Sequence, residues 1–198
     1  MFSEHSEKLS KGSVVLELFT SQGCSSCPPA DALLETIKDS YPDNVFVLSY
    51  HVDYWNYIGW KDPFSSKEFS NYQRAYASKF NSASIYTPQL VVNGRTHFTG
   101  SDASKVYDRT QEPDSYLPKS IAISNLRRAN GNIDFTVTSE TKAHLITVVL
   151  VIEHRETEIL RGENRNRTLS NSNIVVSRDV MSNTTGGAMR ITIPKLVQ

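Results

Sequence analysis

A pair of cysteines in a short segment constrains the fold of this chain more than any other sequence feature. Cys24 and Cys27 are the only cysteines in 198 residues, and they form a C-x-x-C motif. An apolar run of strand length, residues 14–19, precedes them, and residues 28–39 follow with the apolar spacing of a helix. The pattern predicts a strand–turn–helix unit in which Cys27 enters the helix.

The helix start gives these cysteines a chemical interpretation. A helix N-terminus offers unpaired N–H groups and the positive end of the helix dipole, and both favour a thiolate over a thiol. Because the thiolate is the attacking species in disulfide exchange, Cys24 is the candidate nucleophile and Cys27 the residue that resolves the mixed disulfide. Pro28 suits a helix start, where a missing N–H costs little.

Two other uses of the cysteine pair remain open at this point. Two cysteines supply half of a structural zinc site, but the sequence has no second C-x-x-C motif and no histidine pair at zinc-finger spacing. A structural disulfide is the other alternative, although a loop this short restrains little of the unfolded chain. The redox interpretation fits the strand–turn–helix context best.

Composition excludes several classes of partner. Lysine plus arginine and aspartate plus glutamate number 21 each, so no excess charge points to nucleic acid or to an anionic membrane. No apolar run approaches the ~18 residues of a membrane-spanning helix. Residues 1–12 are polar and indicate a flexible N-terminus without the apolar core of a signal peptide.

A second apolar run, residues 45–50, completes a βαβ pattern, so the two strands are expected to be parallel. Glu17 lies in the first strand, seven residues before Cys24. A carboxylate buried there would have a raised pKa and would be a candidate proton acceptor for Cys27. The alternative is that Glu17 reaches solvent or pairs with a basic side chain.

An aromatic segment follows the second strand. Residues 54–64 contain five aromatic side chains, including both tryptophans, Trp55 and Trp60. They begin where a parallel strand ends, which is where α/β folds place their sites, so they are candidates to line a ligand groove. His51 and Asp53 share one side of an extended continuation. The alternative is a small satellite core in which His51 is a satisfied hydrogen-bonding residue.

The residues from the aromatic segment to about residue 111 are predicted to form a helix, a β-hairpin and a second helix. Aromatic residues recur at helical spacing up to residue 80 and indicate core packing. Asn93-Gly94 between two β runs predicts a hairpin, and Pro88 opens its first strand, where proline is allowed at the strand start or in cis. A short helix is predicted from residue 101 to about residue 111.

This order of elements resembles the thioredoxin fold, with residues 51–66 as an aromatic-rich insertion. In that family a cis-proline before the hairpin faces the C-x-x-C motif, and Thr87-Pro88 matches it in type and place. The resemblance implies an α/β fold with a thioredoxin-like domain over residues 13–112. It also implies that Pro88 positions the substrate backbone.

Residues 113–198 change character. Several segments alternate with period two between polar turns such as Asn130-Gly131-Asn132 and Gly186-Gly187, which predicts a small antiparallel β-sandwich. Residues 162–167 form a polar, basic loop between predicted strands. The loop is either a solvated hairpin or a segment that reaches across to the cysteine turn.

The chain also resembles the DUF1223 family, a group of secreted thioredoxin-like proteins of unassigned reaction. The resemblance is carried by four segments, Glu17–Asp31, His51–Asp62, Tyr86–Gln89 and Arg161–Asn164. The sequence departs from the family pattern at Asn56, where we expect Asp, at Tyr72, where we expect Arg, and at Asn166, where we expect Gly. These segments supply the candidate substrate-binding residues Gln22, Asp53, Trp55, Trp60, Thr87, Gln89, Glu163 and Asn164.

The sequence therefore predicts a thiol–disulfide oxidoreductase. Cys24 attacks, Cys27 resolves, Pro88 positions the substrate, and Glu17 or His51 handles protons. The redox-active disulfide needs no organic cofactor, and the partners are protein or peptide thiols and disulfides, with no nucleic acid and no membrane insertion. The family resemblance implies a periplasmic or secreted location.

Two rival functions stay open. One is a metal-handling protein, because Cys24, Cys27 and His51 suit Cu(I) or Zn²⁺. The other is a binding module in which the disulfide is only structural and the aromatic segment binds the ligand.

Overall fold

The computed structural model describes residues 13–111 and 121–197. The predicted flexible N-terminus, residues 1–12, and the predicted domain boundary at 112/113 lie outside the described residues. The strands are β1 Val14–Thr20, β2 Val45–His51, β3 Gln89–Val92, β4 Thr96–Thr99, β5 Ile121–Ala129, β6 Asn132–Ile159 and β7 Arg167–Thr192. The helices are α1 Pro28–Ser40, α2 Lys67–Lys79 and α3 Ala103–Gln111, with 3₁₀ turns at Asn56–Ile58 and Lys195–Val197.

The protein is a mixed α/β structure built on a sheet with the strand order β4-β3-β1-β2-β7-β6-β5. β1 and β2 are parallel, in register from Val14↔Val45 to Thr20↔His51, so the predicted βαβ unit is confirmed. β3 runs antiparallel to β1 and forms the predicted hairpin with β4. Asn93 and Gly94 turn that hairpin with φ angles of 50° and 64°, the left-handed region these residue types tolerate.

The interior strand β1 packs on both of its faces because successive side chains point to opposite sides. Leu16 and Leu18 lie in one buried cluster with α1 residues such as Leu34 and with Val106 of α3. Phe19 lies in a second cluster with Phe69 and Tyr76 of α2, as the aromatic spacing of that helix predicts. The sheet is therefore covered by α1 and α3 on one face and by α2 on the other.

The C-terminal strands differ from the predicted sandwich. Apart from the confirmed turn between β5 and β6, the period-two segments merge into two long strands, β6 and β7, and Gly186-Gly187 lies inside β7 rather than in a turn. β7 also pairs in parallel with β2 at Ser49↔Ile174, so these strands continue the sheet of the first half. Bulges in the β6–β7 ladder let each long strand bend.

None of the helices in the described ranges is long and apolar enough to cross a membrane.

Candidate functional site

The two cysteines lie in the turn between β1 and α1, and they form a disulfide with Cα atoms 5.4 Å apart. Cys27 is the N-cap residue of α1, and its carbonyl oxygen accepts hydrogen bonds from the N–H groups of Ala30 at 2.9 Å and Asp31 at 3.1 Å. The predicted strand–turn–helix unit is confirmed. The disulfide therefore sits at the positive end of α1.

The disulfide is covered although the turn lies at the surface. Cys24 and Cys27 are both 0% exposed, whereas Ser25 and Ser26 between them are exposed. Because disulfide exchange requires an incoming sulfur to approach along the S–S axis, the groups that cover the two sulfurs control access to them.

The predicted cis-proline segment is one of these groups. The Thr87–Pro88 peptide bond is cis, and Pro88 is buried. The Thr87 hydroxyl donates to Sγ of Cys24 at 3.2 Å and accepts from Nε1 of Trp55 at 2.7 Å. Of the predicted site residues, Thr87 thus contacts Cys24, Trp55 holds the Thr87 hydroxyl, and Pro88 follows Thr87 in the chain.

The loop between β6 and β7, residues 160–166, is the second covering group, and we call it the covering loop. Asn164 is fully buried, and its Nδ2 donates to the carbonyl oxygens of Gln22 and Cys24, each at 3.0 Å. Oε2 of Glu163 accepts from the backbone N–H of Ser25 at 3.2 Å. Of the two alternatives for this loop, the structure shows that it reaches the cysteine turn.

Local backbone geometry allows the covering loop to approach this closely. Gly162 has φ +77°, and a Cβ there would lie 3.2 Å from Cβ of Trp60. Asn166 takes φ 65°, a left-handed conformation that asparagine tolerates where the family pattern expects glycine. The loop therefore packs against the aromatic segment as well as the cysteine turn.

Gln22 links the cysteine turn to two distant parts of the chain. It is 1% exposed, and its Oε1 accepts from Nε1 of Trp60 at 3.1 Å. Its Nε2 donates to Oγ1 of Thr157 at 3.0 Å and to Oδ1 of Asn171 at 3.2 Å, in β6 and β7. Gln22 and Trp60 are thus structural links at the site, and the exposed aromatic of this segment is Tyr57.

His51 lies at the end of β2 and pairs with Asp62. The two side chains are buried, with Nδ1 of His51 2.7 Å from Oδ2 of Asp62. The same oxygen accepts from the backbone N–H of Gln22 at 2.8 Å, so Nδ1 is the donor and Asp62 the acceptor. Burial opposes charge on both groups, but their mutual attraction outweighs it, raising the pKa of His51 and lowering that of Asp62.

Asp31 is a buried carboxyl that sequence reasoning missed. It is 8% exposed, and its Oδ2 accepts from Oγ1 of Thr20 at 3.1 Å. Burial raises the pKa of Asp31 to about 7, although the nearby His51 opposes the shift. The available signal was a charged residue four positions after Cys27, on the face of α1 that also carries Leu34.

Glu17, the acid predicted from the sequence, lies away from the cysteine pair. It is 6% exposed, and burial raises its pKa as expected, but it faces α2, where its carboxylate accepts from the hydroxyls of Tyr72 and Tyr76. Cys27 heads α1 on the opposite face of the sheet. The structure therefore does not bring Glu17 to the cysteine pair, because neighbouring residues of β1 point in opposite directions.

Two further predicted residues have partners away from the cysteines. Oδ1 of Asp53 accepts from the hydroxyl of Ser70 in α2. The side chain of Gln89 accepts from Nε2 of Gln73 at 2.9 Å and contacts His97 at 3.2 Å. Both residues support the segments that flank the site, and neither hydrogen bond reaches the cysteine turn.

In the described ranges, no group of three or more His, Cys, Asp or Glu residues is placed to hold a metal ion.

Comparisons with known proteins identify a matching family and solved structures of similar fold. The model of a family described as "Protein of unknown function (DUF1223)" matches residues 15–198. A crystal structure of a protein from Agrobacterium tumefaciens has 31% sequence identity and a TM-score of 0.65, covering 91% of this chain and 78% of that chain. HBP35 of Porphyromonas gingivalis is similar in fold, with a TM-score of 0.53 at 15% identity, covering 94% of this chain and 65% of that chain. No curated protein matches the chain.

Proposed function

The chain belongs to the DUF1223 family of proteins of unknown function, and we propose that it is a thiol–disulfide oxidoreductase that acts on protein or peptide substrates. The observation that carries the proposal is the Cys24–Cys27 disulfide at the N-terminus of α1, with the hydroxyl of Thr87 beside Sγ of Cys24. A helix N-terminus stabilises the thiolate that disulfide exchange requires.

The proposal includes a thioredoxin-like architecture for the first half of the chain. It is supported by the parallel β1 and β2 joined through α1, by the antiparallel β3–β4 hairpin, and by α3 after it. It is also supported by the cis peptide bond at Thr87–Pro88 next to the cysteine turn. On this reading residues 51–66 are an insertion, and β5 to β7 extend the sheet.

The reaction is a two-electron exchange. In the reducing direction the Cys24 thiolate attacks a substrate disulfide, a Cys24–substrate bond forms, and one substrate sulfur leaves as a thiolate that takes a proton from solvent. The Cys27 thiol then loses its proton and attacks Sγ of Cys24. The Cys24–Cys27 disulfide forms, and the second substrate thiolate leaves. A substrate dithiol would drive the same steps in reverse.

The partner that resets the cysteine pair is a thiol or disulfide of another protein, and no organic cofactor is needed. The proposal also includes export to a periplasmic or extracellular space, where a disulfide persists.

An equilibrium redox titration tests the proposed function. The native protein is equilibrated in glutathione buffers, trapped by alkylation, and its free thiols are counted by mass. We expect a reversible two-electron transition, and in the reduced protein a Cys24 pKa below the ordinary value of ~8.5. A disulfide that stays oxidised in every buffer and reduces only when the protein unfolds would overturn the proposal.

The full burial of both cysteines favours one alternative, a binding module with a structural disulfide. This alternative predicts that no exchange occurs in the native protein at any glutathione ratio. The titration therefore separates the two functions.

Replacement of Asn164 by alanine is expected to speed reduction of the disulfide. The amide of Asn164 holds the covering loop over the cysteine turn with two hydrogen bonds of 3.0 Å each. Each such bond contributes about 0.5–1.5 kcal/mol, so we expect reduction by dithiothreitol to become about 10-fold faster. The measurement is the rate of thiol release at a temperature well below the melting temperature.

The matched control is Asn71→Ala, which removes an exposed asparagine from α2. We expect it to leave the reduction rate unchanged. Equal rates for Asn164→Ala and the wild-type protein would show that the covering loop does not limit access.

A further inference from the structure

The residue that follows Cys27 by one helical turn on α1 is a buried acid. The N–H of Asp31 donates to the carbonyl of Cys27 at 3.1 Å, and the backbone of Cys27 is already helical, with φ −78° and ψ −38°. Side chains four residues apart on a helix lie on the same face, with Cβ atoms about 5–6 Å apart. Asp31 and Cys27 are both buried, and the helical repeat puts their side chains on the same face of α1.

Two buried polar atoms in this region lack a partner within hydrogen-bond distance among the described residues. They are Oδ1 of Asp31 and Nε2 of His51, although Asn171 lies near enough to Asp31 to favour its carboxylate. Buried polar atoms are almost always hydrogen-bonded, so an orphaned pair calls for a functional reason. In the disulfide form Cys27 has no proton to donate, whereas its reduced thiol would supply a donor beside Asp31.

Several neighbouring groups influence the pKa of the Asp31 carboxyl. Oγ1 of Thr20 in β1 donates to Oδ2, and His51 in β2 and Asp62 both act on it electrostatically. One helical turn further along α1, Glu35 is paired with His154 of β6. Burial dominates and raises the pKa of Asp31 to about 7, so the carboxyl exchanges its proton near neutral pH.

We propose that Asp31 is the proton acceptor for the Cys27 thiol when Cys27 resolves the mixed disulfide, a role that rests on the proposed function. The thiol proton moves to the carboxylate of Asp31, the Cys27 thiolate attacks Sγ of Cys24, and the substrate thiolate leaves. The Asp31 carboxylic acid then returns its proton to the departing thiolate or to solvent. No electron passes through Asp31.

The positions of Glu17 and His51, the two candidates predicted from the sequence for this step, differ from that of Asp31. Glu17 is held by Tyr72 and Tyr76 on the α2 face of the sheet. Nδ1 of His51 is committed to Asp62, so His51 acts on Asp31 through its charge. Asp31 alone among the three shares a helix face with Cys27.

The first test measures the pKa of Cys27 in a Cys24→Ser background by thiolate absorbance at 240 nm. We expect Asp31→Asn to lower this pKa by about one unit, because it removes a neighbouring negative charge. A pKa that stays within about 0.2 units would overturn the proposal, whether or not the protein exchanges disulfides. The matched control, Asp39→Asn, changes an exposed carboxylate on the same helix and should leave it unchanged.

The second test follows the release of glutathione from the Cys24 mixed disulfide in protein with both cysteines. For the wild type we expect a rate that rises with pH through about 7, where Asp31 ionises. Loss of a positioned base slows proton transfer by about 10²-fold, so Asp31→Asn should resolve that much more slowly at pH 7. A resolution rate equal to that of the wild type would overturn the proposal.

A second variant keeps the test valid if Asp31→Asn folds poorly. Thr20→Val keeps the shape of the side chain but removes the hydroxyl that donates to Asp31. Without that donor the carboxylate is less stable, so the pH midpoint of resolution should move upward. An unmoved midpoint would count against the proposal. The two proposals can fail separately. If the wild-type disulfide does not exchange but Asp31→Asn still lowers the Cys27 pKa, the oxidoreductase function is overturned, whereas the interaction between Asp31 and the Cys27 thiol is supported.

Discussion

Replacement of Cys24 by serine is expected to abolish disulfide exchange, whereas replacement of Cys27 is expected to preserve the first half of the reaction. Sγ of Cys24 contacts the hydroxyl of Thr87 and that of the exposed residue Ser26, whereas Cys27 is the N-cap residue of α1. Both cysteines are buried, and we expect a substrate that displaces the covering groups to reach Cys24 first. Removing a nucleophile costs about 10³-fold in rate or more.

The two serine variants form a matched pair because each removes the same disulfide. Both are mixed with a disulfide-linked peptide, and the products are separated without reductant. We expect Cys27→Ser to accumulate a mixed disulfide on Cys24 and Cys24→Ser to form none. Ser25→Ala, at an exposed position of the same turn, should exchange like the wild type. Adducts on Cys27 in the Cys24→Ser variant would contradict the assigned roles.

Asp62→Asn is expected to cause the largest loss of stability among the site residues. Asp62 accepts from His51 at 2.7 Å and from the backbone N–H groups of Gln22 and Phe64 at 2.8 and 2.9 Å. Removing one partner of a buried ion pair leaves the other charge uncompensated and costs about 3–5 kcal/mol. We expect a loss of this size in the free energy of unfolding, measured by urea titration.

The pH at which Asp62→Asn is measured follows from the two pKa shifts. The raised pKa of His51 gives stability that is complete below its unfolded value of 6.5 and is lost as pH rises through the folded pKa. The lowered pKa of Asp62 gives stability that is present above 3.8 and is lost as pH falls through the folded pKa. The difference between variant and wild type should therefore be complete near pH 5–6.

The control for this prediction is Asp102→Asn. Asp102 pairs with Lys105 at 2.8 Å on the surface, where solvent screens the interaction. We expect little change in the urea midpoint of this variant. An Asp62→Asn protein with the same midpoint as the wild type would show that the His51–Asp62 pair does not hold the site together.

Much of the first half could be predicted because its signals are local. The C-x-x-C motif between an apolar run and a helical pattern predicted β1, the cysteine turn and α1, and Asn93-Gly94 predicted the β3–β4 hairpin. These signals arise from backbone preferences and side-chain periodicity over a few residues. The family resemblance added the place of Thr87-Pro88 beside Cys24, which the hydrogen bond between Thr87 and Cys24 confirms.

The proposed proton acceptor, Asp31, was not found from the sequence, because the sequence analysis considered only Glu17 and His51 for this role. Glu17 lies on the strand that leads to the turn, but alternation along β1 points it at α2. Asp31 lies on a helix, and the helical repeat returns it to the face of Cys27. Asp31 is also the nearer acid in sequence, four residues after Cys27 against seven residues before Cys24 for Glu17, but only the fold shows that its side chain is buried.

The sequence by itself determined the C-x-x-C turn, the βαβ unit around it and the hairpin that follows, because each depends on contacts between near neighbours in the chain. Only the tertiary structure decided what surrounds the disulfide. The hydrogen bonds from Asn164 to Gln22 and Cys24 join residues about 140 positions apart. The pairing of β7 with β2 makes these contacts possible, because it brings the far half of the chain beside the cysteine turn.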